Sequence, residues 1–480
     1  MDTNEQIDII FNGTKEILNV VNRGDPLIAP LLAPNATLCH LIGTEIKLIK
    51  QVGQGQYGTV FEITVPGKGT KKYAVKRGNI KTTTADLSKL GPFEKGTNYD
   101  MTDTAPLDVL KAFNPKLDFG NVKHLKNVII PTFNVDITEC LTRYWEYAEP
   151  IPFKAGGVRA PPGSYLCDND SYSEYYIGSL LGESYRKEEC INFFDFYSMF
   201  TCENPGYSNI TSNAKIPPYY QYIFMDKIDF TLGEAMQCLP SNAYTSIVNE
   251  LGGDDAKETI QNGIFIQTVF AIAFYQTKYE ISHNDLHRGN VFVECVKPTN
   301  TQDGTIGTTF NGKLLSDMEF YHYKIDDVDL YFPAIPIIVK IGDFGLSIKY
   351  STPIVGSKYV FKSGLPTLKL QPTAPNHFIP QYDLFFNTVN CLSLSKSKQT
   401  TKLIASSMKF LVPEGKNVDG ENIRSILHGL RTSKMITKSG RVNLEKLKSL
   451  KTAHDLLKSN VFQKYRTKPN SGKIVTLGVI

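Results

Sequence analysis

Asp285 and Asn290 stand five positions apart in the stretch HNDLHRGN, between a long apolar helical pattern and the strand-like Val291, Phe292 and Val293. In phosphoryl transfer one side chain must orient an attacking hydroxyl and another must help to hold a metal on the nucleotide. A carboxylate and an amide at this spacing suit those tasks. Alone the pattern is weak, since a polar helix-to-strand turn would carry it equally well. Three other groups of residues add weight. Gly53, Gly55 and Gly58 form G-x-G-x-x-G between strand-like flanks, Lys76 follows on the strand KKYAVKRG, and IIVKIGDFGLS ends a strand in Asp343, Phe344 and Gly345.

The elements around these residues are consistent with such chemistry. EIKLIKQVGQGQYGTVFEITV alternates as a β-hairpin does, and glycines let its tip press backbone against phosphates. A dinucleotide-binding turn would need a helix after the glycines, but TVFEITV reads as a strand. From Thr259 to Tyr279 the chain is apolar nearly all round at helical spacing, which predicts a buried helix delivering the chain to HNDLHRGN. SEYYIGSLLGESYRKEEC predicts another helix, with Ile177, Leu180 and Leu181 on one side and Glu174 near its start. Residues 1–44 begin with an amphipathic pattern (Ile7, Ile10, Leu18, Val21). That segment either packs on the main fold or serves in docking.

Composition sets the remaining bounds. A chain of 480 residues, 41% hydrophobic, can bury a large core in two or three units. With 52 basic and 48 acidic residues the net charge of +4 gives no direct signal for nucleic acid or a membrane surface. Its eight scattered cysteines include no C-x-x-C pair, which predicts reduced, mostly buried thiols. The start lacks a secretory pattern and no apolar run approaches membrane-spanning length. A soluble, cytoplasmic protein is expected.

G-Q-G-Q-Y-G-T-V, A-V-K, H-N-D-L-H-R-G-N and D-F-G, in this order, resemble the eukaryotic-type protein kinase superfamily. The catalytic-loop stretch, with a YHYKI segment before the D-F-G strand, resembles haspin and the divergent kinases of large DNA viruses, which would place the protein in an infected host cell. The resemblance implies an α+β, two-lobed protein kinase fold, with a small antiparallel sheet and one main helix over a mainly helical lobe. It divides the chain into an N-terminal extension (1–44), a small lobe (45–228) with an insertion at about 85–165, and a large lobe (229–480) with an insertion at about 297–336. It implies ATP and Mg2+ as cofactors and a protein as substrate, and the insertions and extension leave room for a regulatory partner.

The same resemblance assigns roles. Val52, Gly53, Gly55, Gly58, Val60 and Ala74 would surround the nucleotide, and Lys76 would grip its phosphates. Met225 would back the adenine, with Asp226, Lys227 and Ile228 in the connector beside it. Asp285 would orient the substrate hydroxyl and accept its proton, and Asn290 and Asp343 would hold magnesium. Glu174 is the expected partner of Lys76, with Glu183 and Glu146 as rivals, because Gly178 falls where kinases carry a bulky core residue. Asp383 would brace the catalytic-loop backbone.

Two departures bear on mechanism. Asn284 replaces the usual arginine before the aspartate, so control by a phosphorylated activation segment is not expected. His287 stands where Ser/Thr kinases place a lysine and either donates to the γ-phosphate or is structural. Ser/Thr specificity is favoured, because the arginine placements of tyrosine kinases are missing. Two other classes stay open: a small-molecule phosphotransferase of the aminoglycoside or choline kinase type, which shares D-x-H-x-x-N, and an inactive scaffold.

Overall fold

Alternation of apolar residues builds the first sheet. In the structure, a computed structural model describing residues 3–12, 36–55, 58–67, 71–80, 171–203, 219–237, 254–296, 307–349, 381, 383–384, 398–411 and 450–480, five strands pair antiparallel. These are β1 (Lys47–Gly55), β2 (Gly58–Thr64), β3 (Tyr73–Ile80), β4 (Phe196–Glu203) and β5 (Tyr219–Asp226), in the order β1-β2-β3-β5-β4. The side-chain period of two gives each face its own core. Tyr73, Val75, Phe200 and Phe224 point to one, and Ala74, Ile223 and Met225 to the other.

The N-terminal segment covers the first face. Helix α1 (Thr3–Asn12) buries Ile7 and Ile10 there, and the Phe11 ring lies 4.7 Å from Tyr73 and 5.0 Å from Tyr197. Of the two roles considered for this segment, the packed one is present; Leu18 and Val21 lie outside the described residues. The short helix α2 (Ala36–Cys39) ends in a disulfide from Cys39 to Cys202 of β4, with the Cα atoms 5.6 Å apart. The expectation of reduced thiols is therefore corrected for this pair. The two cysteines are 163 residues apart in sequence, and only docking of the N-terminal segment on the edge strand brings them together. Cys190 and Cys295 are free.

The second face takes helix α3 (Ser171–Arg186). Gly178, the anomaly of its sequence, faces the Phe196 ring, where an added Cβ would stand 2.5 Å from Cε2. The bulk is thus supplied by β4 instead of by the helix. Gly58 answers a different crowding, since a Cβ there would stand 2.5 Å from the Arg77 carbonyl oxygen on β3.

Strand β6 (Phe230–Thr231) and helix α4 (Leu232–Gln237) lead to α5 (Asp254–Tyr279), which is buried along almost its whole length from Ile260 to Gln276. After it, β7 (Ile281–Ser282) and β8 (Val291–Cys295) flank the HNDLHRGN stretch. The region read as a second insertion carries its own structure: a hairpin of β9 (Thr309–Phe310) and β10 (Lys313–Leu314), then one of β11 (Phe320–Ile325) and β12 (Val328–Pro333). Next, β13 (Ile337–Ile341) pairs with β8 and β14 (Ile348–Lys349) with β7. Helices α6 (Lys398–Leu411) and α7 (Ala453–Leu457) pack near α5, and β15 (Ile474–Val479) lies parallel to β11. The described residues are thus mixed α and β, with mostly antiparallel pairing. No described helix is long and apolar enough to cross a membrane. The 85–165 stretch, with Glu146, lies outside the described residues.

Closing so long a loop constrains the unfolded chain, typically by about 2–4 kcal/mol. Cys202→Ser is expected to lower unfolding free energy by that amount in denaturant titration without reductant. The loss should vanish when both proteins are measured with excess dithiothreitol.

Candidate active site

Three elements distant in sequence meet at Lys76. Its Nζ donates to Glu174 Oε2 at 2.5 Å and to Asp343 Oδ1 at 2.8 Å. Glu174 comes from the first turn of α3 and is buried, whereas Asp343 follows β13 and its side chain keeps 42% of its surface. Burial alone would lower the Lys76 pKa, but the Asp343 and Glu174 carboxylates outweigh it and hold the ammonium well above its usual range. Asp343 shows the reciprocal effect: burial pushes its carboxyl up, and Lys76 brings it below the ordinary value. Of the two rival glutamates, Glu183 pairs with Lys187 at 2.8 Å on the helix surface.

The HNDLHRGN stretch is held by Asp383. Its Oδ2 accepts from His283 N–H at 2.8 Å and Tyr275 Oη–H at 3.0 Å, and its Oδ1 from Asn284 N–H at 2.8 Å. His283 is fully buried, with Nε2 3.0 Å from Gly342 O and its ring 5.2 Å from Phe344. Asn284 has φ of 65°, a left-handed conformation that asparagine tolerates better than most side chains. Its Nδ2 donates to Ser282 O at 3.1 Å.

Asn290 closes the loop. Its Nδ2 donates to Asp285 O at 2.8 Å and to Asp285 Oδ2 at 3.2 Å, so the donor end of the amide faces Asp285 and the acceptor end faces away. Asp285 Oδ1 is buried and has no hydrogen-bond partner among the described residues. Burial, then the Asp343 charge, push the Asp285 carboxyl up to about 7. His287 Nδ1 accepts from Gly289 N–H at 2.9 Å, which leaves the proton of the neutral ring on Nε2, 3.8 Å from Asp285 Oδ2.

The connector residues divide by role. Met225 is buried opposite Ala74 in the β3–β5 register. Asp226 serves structure: its N–H donates to Asp195 O at 2.9 Å, and Oδ1 takes Tyr197 Oη–H at 2.6 Å and Lys71 Nζ at 2.7 Å. Lys227 lies 3.7 Å from Glu62, and Ile228 packs against the core. In the glycine hairpin Gly53 pairs with Val60 and Gly55 with Gly58, and Val52 is exposed.

Magnesium commonly takes one or two protein carboxylates together with phosphate oxygens and water. Among the described residues no group of three or more His, Cys, Asp or Glu could hold a metal unaided. The residues present fit the shared kind of site: a half-open Asp343 carboxylate, the Asn290 amide oxygen turned away from Asp285, and carboxylates outnumbering the single ammonium.

Sequence reasoning missed Lys340. It is 1% exposed, donates from Nζ to Ile191 O at 2.7 Å and Phe193 O at 2.8 Å, and sits 4.0 Å over the Tyr185 ring of α3. Its place in the apolar run IIVKI, three residues before Asp343, was the available signal.

The chain matches no protein-family model and no curated protein sequence.

A carboxyl held near 7 in the fold and near 3.8 when unfolded binds more protons in the folded state between those values. It therefore takes stability away as pH rises through that window. Asp285→Asn is expected to be more stable than wild type at pH 8 by about 1–3 kcal/mol, with the gain lost below pH ~4. Urea unfolding of both proteins at pH 4 and pH 8 measures it.

Proposed function

We propose that the chain is an ATP-dependent protein kinase of divergent type, with a two-lobed fold in which the five-stranded sheet and α3 form the small lobe. The observation that carries this reading is the meeting of Lys76, Glu174 and Asp343 beside the Asp285–Asn290 pair. Three sequence motifs and the first turn of α3, spread over 267 residues, supply these groups, and each would be needed for one part of phosphoryl transfer.

In this reading the glycine hairpin lies over the phosphates of ATP. Lys76, kept charged and aimed by Glu174, donates to the α and β phosphates. Asp343 and Asn290 Oδ1 would hold Mg2+, which would supply neutralisation of phosphate charge. Asp285 Oδ1, buried and without a hydrogen-bond partner among the described residues, accepts a hydrogen bond from the substrate hydroxyl. It takes the hydroxyl proton as the new phosphorus–oxygen bond forms and the bond from the γ-phosphorus to the β–γ bridging oxygen breaks, releasing ADP. Asn290 keeps Asp285 Oδ2 in place. His287 presents Nε2–H on the same side and donates to the γ-phosphate. Alignment and charge neutralisation supply most of the rate, because the transferring group needs little covalent help. A protein hydroxyl is the substrate, with serine or threonine favoured. Asn284 stands where an arginine would receive an activation-segment phosphate, so constitutive competence or control by a partner is expected instead.

The test is transfer of labelled phosphate from Mg-ATP to generic proteins, with choline and an aminoglycoside as competing acceptors. Asp285→Ala and Asp343→Ala are each expected to lower kcat by at least ~100-fold, the usual worth of a positioned proton acceptor. Equal labelling by all three proteins would refute the reading, and transfer to the small molecules alone would reassign it to the small-molecule phosphotransferases.

The pH profile is a separate check. Asp285 must be ionised to accept the proton, so kcat/KM is expected to rise with pH through about 7 and level off above it. A flat profile over roughly pH 5.5 to 8.5 contradicts Asp285 as the base.

A further inference from the structure

The two carboxylates on Lys76 arrive on separate supports, Glu174 at the start of α3 and Asp343 just after β13. One short segment touches both supports. Residues 189–194 leave α3 and run between two strands. On one side Val479 N–H donates to Glu189 O at 3.2 Å, and Ile191 N–H donates to Leu477 O at 2.9 Å, with Cys190 opposite Gly478. On the other side Ile341 N–H donates to Asn192 O at 2.9 Å, and Asn192 Nδ2 donates to Val339 O at 2.8 Å. Lys340 adds its two bonds to Ile191 O and Phe193 O from the same strand.

Strand β15 has its own anchorage. It runs parallel to β11, from Phe320 opposite Ile474 to Lys324 opposite Val479, with a one-residue register shift between His322 and Tyr323 that skips Leu477. Gly478 lies against α5, where an added Cβ would stand 2.4 Å from Phe270 Cε1. Tyr323 of β11 stacks on Phe270 with ring centroids 3.9 Å apart, and its hydroxyl donates to Asn192 Oδ1 at 2.6 Å. The segment behind α3 is therefore fixed to α5, β11 and β13 through β15 and Asn192.

We propose that β15 is a positioning element for the active site. Pairing with residues 189–191, it fixes the far end of α3 relative to β13 and so sets the separation of Glu174 and Asp343 across Lys76. The catalytic consequence rests on the phosphotransfer reading; the mechanical one does not. A 16-residue helix spans roughly 24 Å at 1.5 Å per residue. A tilt of roughly 5° at its anchored end moves Glu174 by roughly 2 Å over that length, enough to break the contact with Lys76.

The experiment compares full-length protein with a deletion of residues 474–480 and with Gly478→Ala, which wedges the strand at Phe270 without removing it. Amide hydrogen exchange of residues 174–186 is read in the nucleotide-free proteins. The deletion is expected to speed exchange there at least ~10-fold, with a smaller rise for Gly478→Ala, as local opening loses its clamp. A synthetic peptide of residues 472–480 added in trans should restore slow exchange to the deletion variant. In the phosphotransfer assay the deletion is expected to lower kcat at least ~10-fold while KM for the protein substrate changes less than about twofold.

Unchanged exchange in α3 of the folded deletion variant overturns the proposal. If the deletion does not fold, Gly478→Ala decides, and unchanged exchange in that variant overturns it equally. Exchange that responds in a chain without phosphotransfer activity leaves the clamp standing and removes the kinase reading. An active chain whose α3 does not respond does the reverse.

Discussion

The Lys76 ammonium holds two carboxylates that the chain delivers 98 and 267 residues later. Taking such a charge out of water is costly, and only close, hydrogen-bonded partners of opposite sign offset that cost. Removing Lys76 would leave the buried Glu174 carboxylate uncompensated. The arrangement therefore constrains the sheet carrying Lys76, the helix carrying Glu174 and the strand leading to Asp343 all at once. The same excess of carboxylate over ammonium acts on Asp285, whose pKa is raised by burial and then by Asp343. The group proposed as the proton acceptor is thus kept where charge is disfavoured, a condition common at functional sites.

Aromatic packing carries this constraint into the core. Phe196 on β4 fills the space left by Gly178 on α3, stacks 5.2 Å from Phe194 and lies 6.3 Å from Phe344, the residue after Asp343. Phe344 in turn meets the buried His283 ring. Interiors packed this tightly do not deform continuously, so a shift of α3 would be felt at the backbone of both Asp343 and the HNDLHRGN stretch. Lys340 fastens the same region by polar means, joining β13 to the carbonyls behind α3.

What the sequence made legible was local. Strand alternation around the glycines, the all-apolar pattern of α5 and the order of Lys76, Asp285, Asn290 and Asp343 follow from periodicity and spacing, and each element lies at the expected place. Glu174 required a choice among three glutamates, because Gly178 is a defect on the helix and a fit only when Phe196 is set against it. The Cys39–Cys202 link was misread for the same reason: neither cysteine lies in a spacing pattern, and only tertiary docking pairs them. Lys340 was passed over because a lysine in a strand is ordinarily a surface charge; its acceptors are carbonyls of residues 191 and 193, nearly 150 positions away. Long-range partners leave little trace in one sequence.

The departures from the kinase pattern have local physical reasons. Asn284 occupies a left-handed turn and satisfies itself on Ser282 O, while its N–H, with that of His283, is anchored by Asp383. A long cationic side chain at that position would serve a phosphate from elsewhere; the loop here is held from within instead. His287 is likewise fixed by its own neighbour, since the Gly289 N–H on Nδ1 sets the tautomer and directs Nε2–H outward. The Lys76–Glu174 contact and the buried Asp383 carboxylate beneath the loop hold the proposed phosphotransfer site from within the fold. Such a site is better suited to control through the elements that hold α3 than through a switch at the catalytic loop.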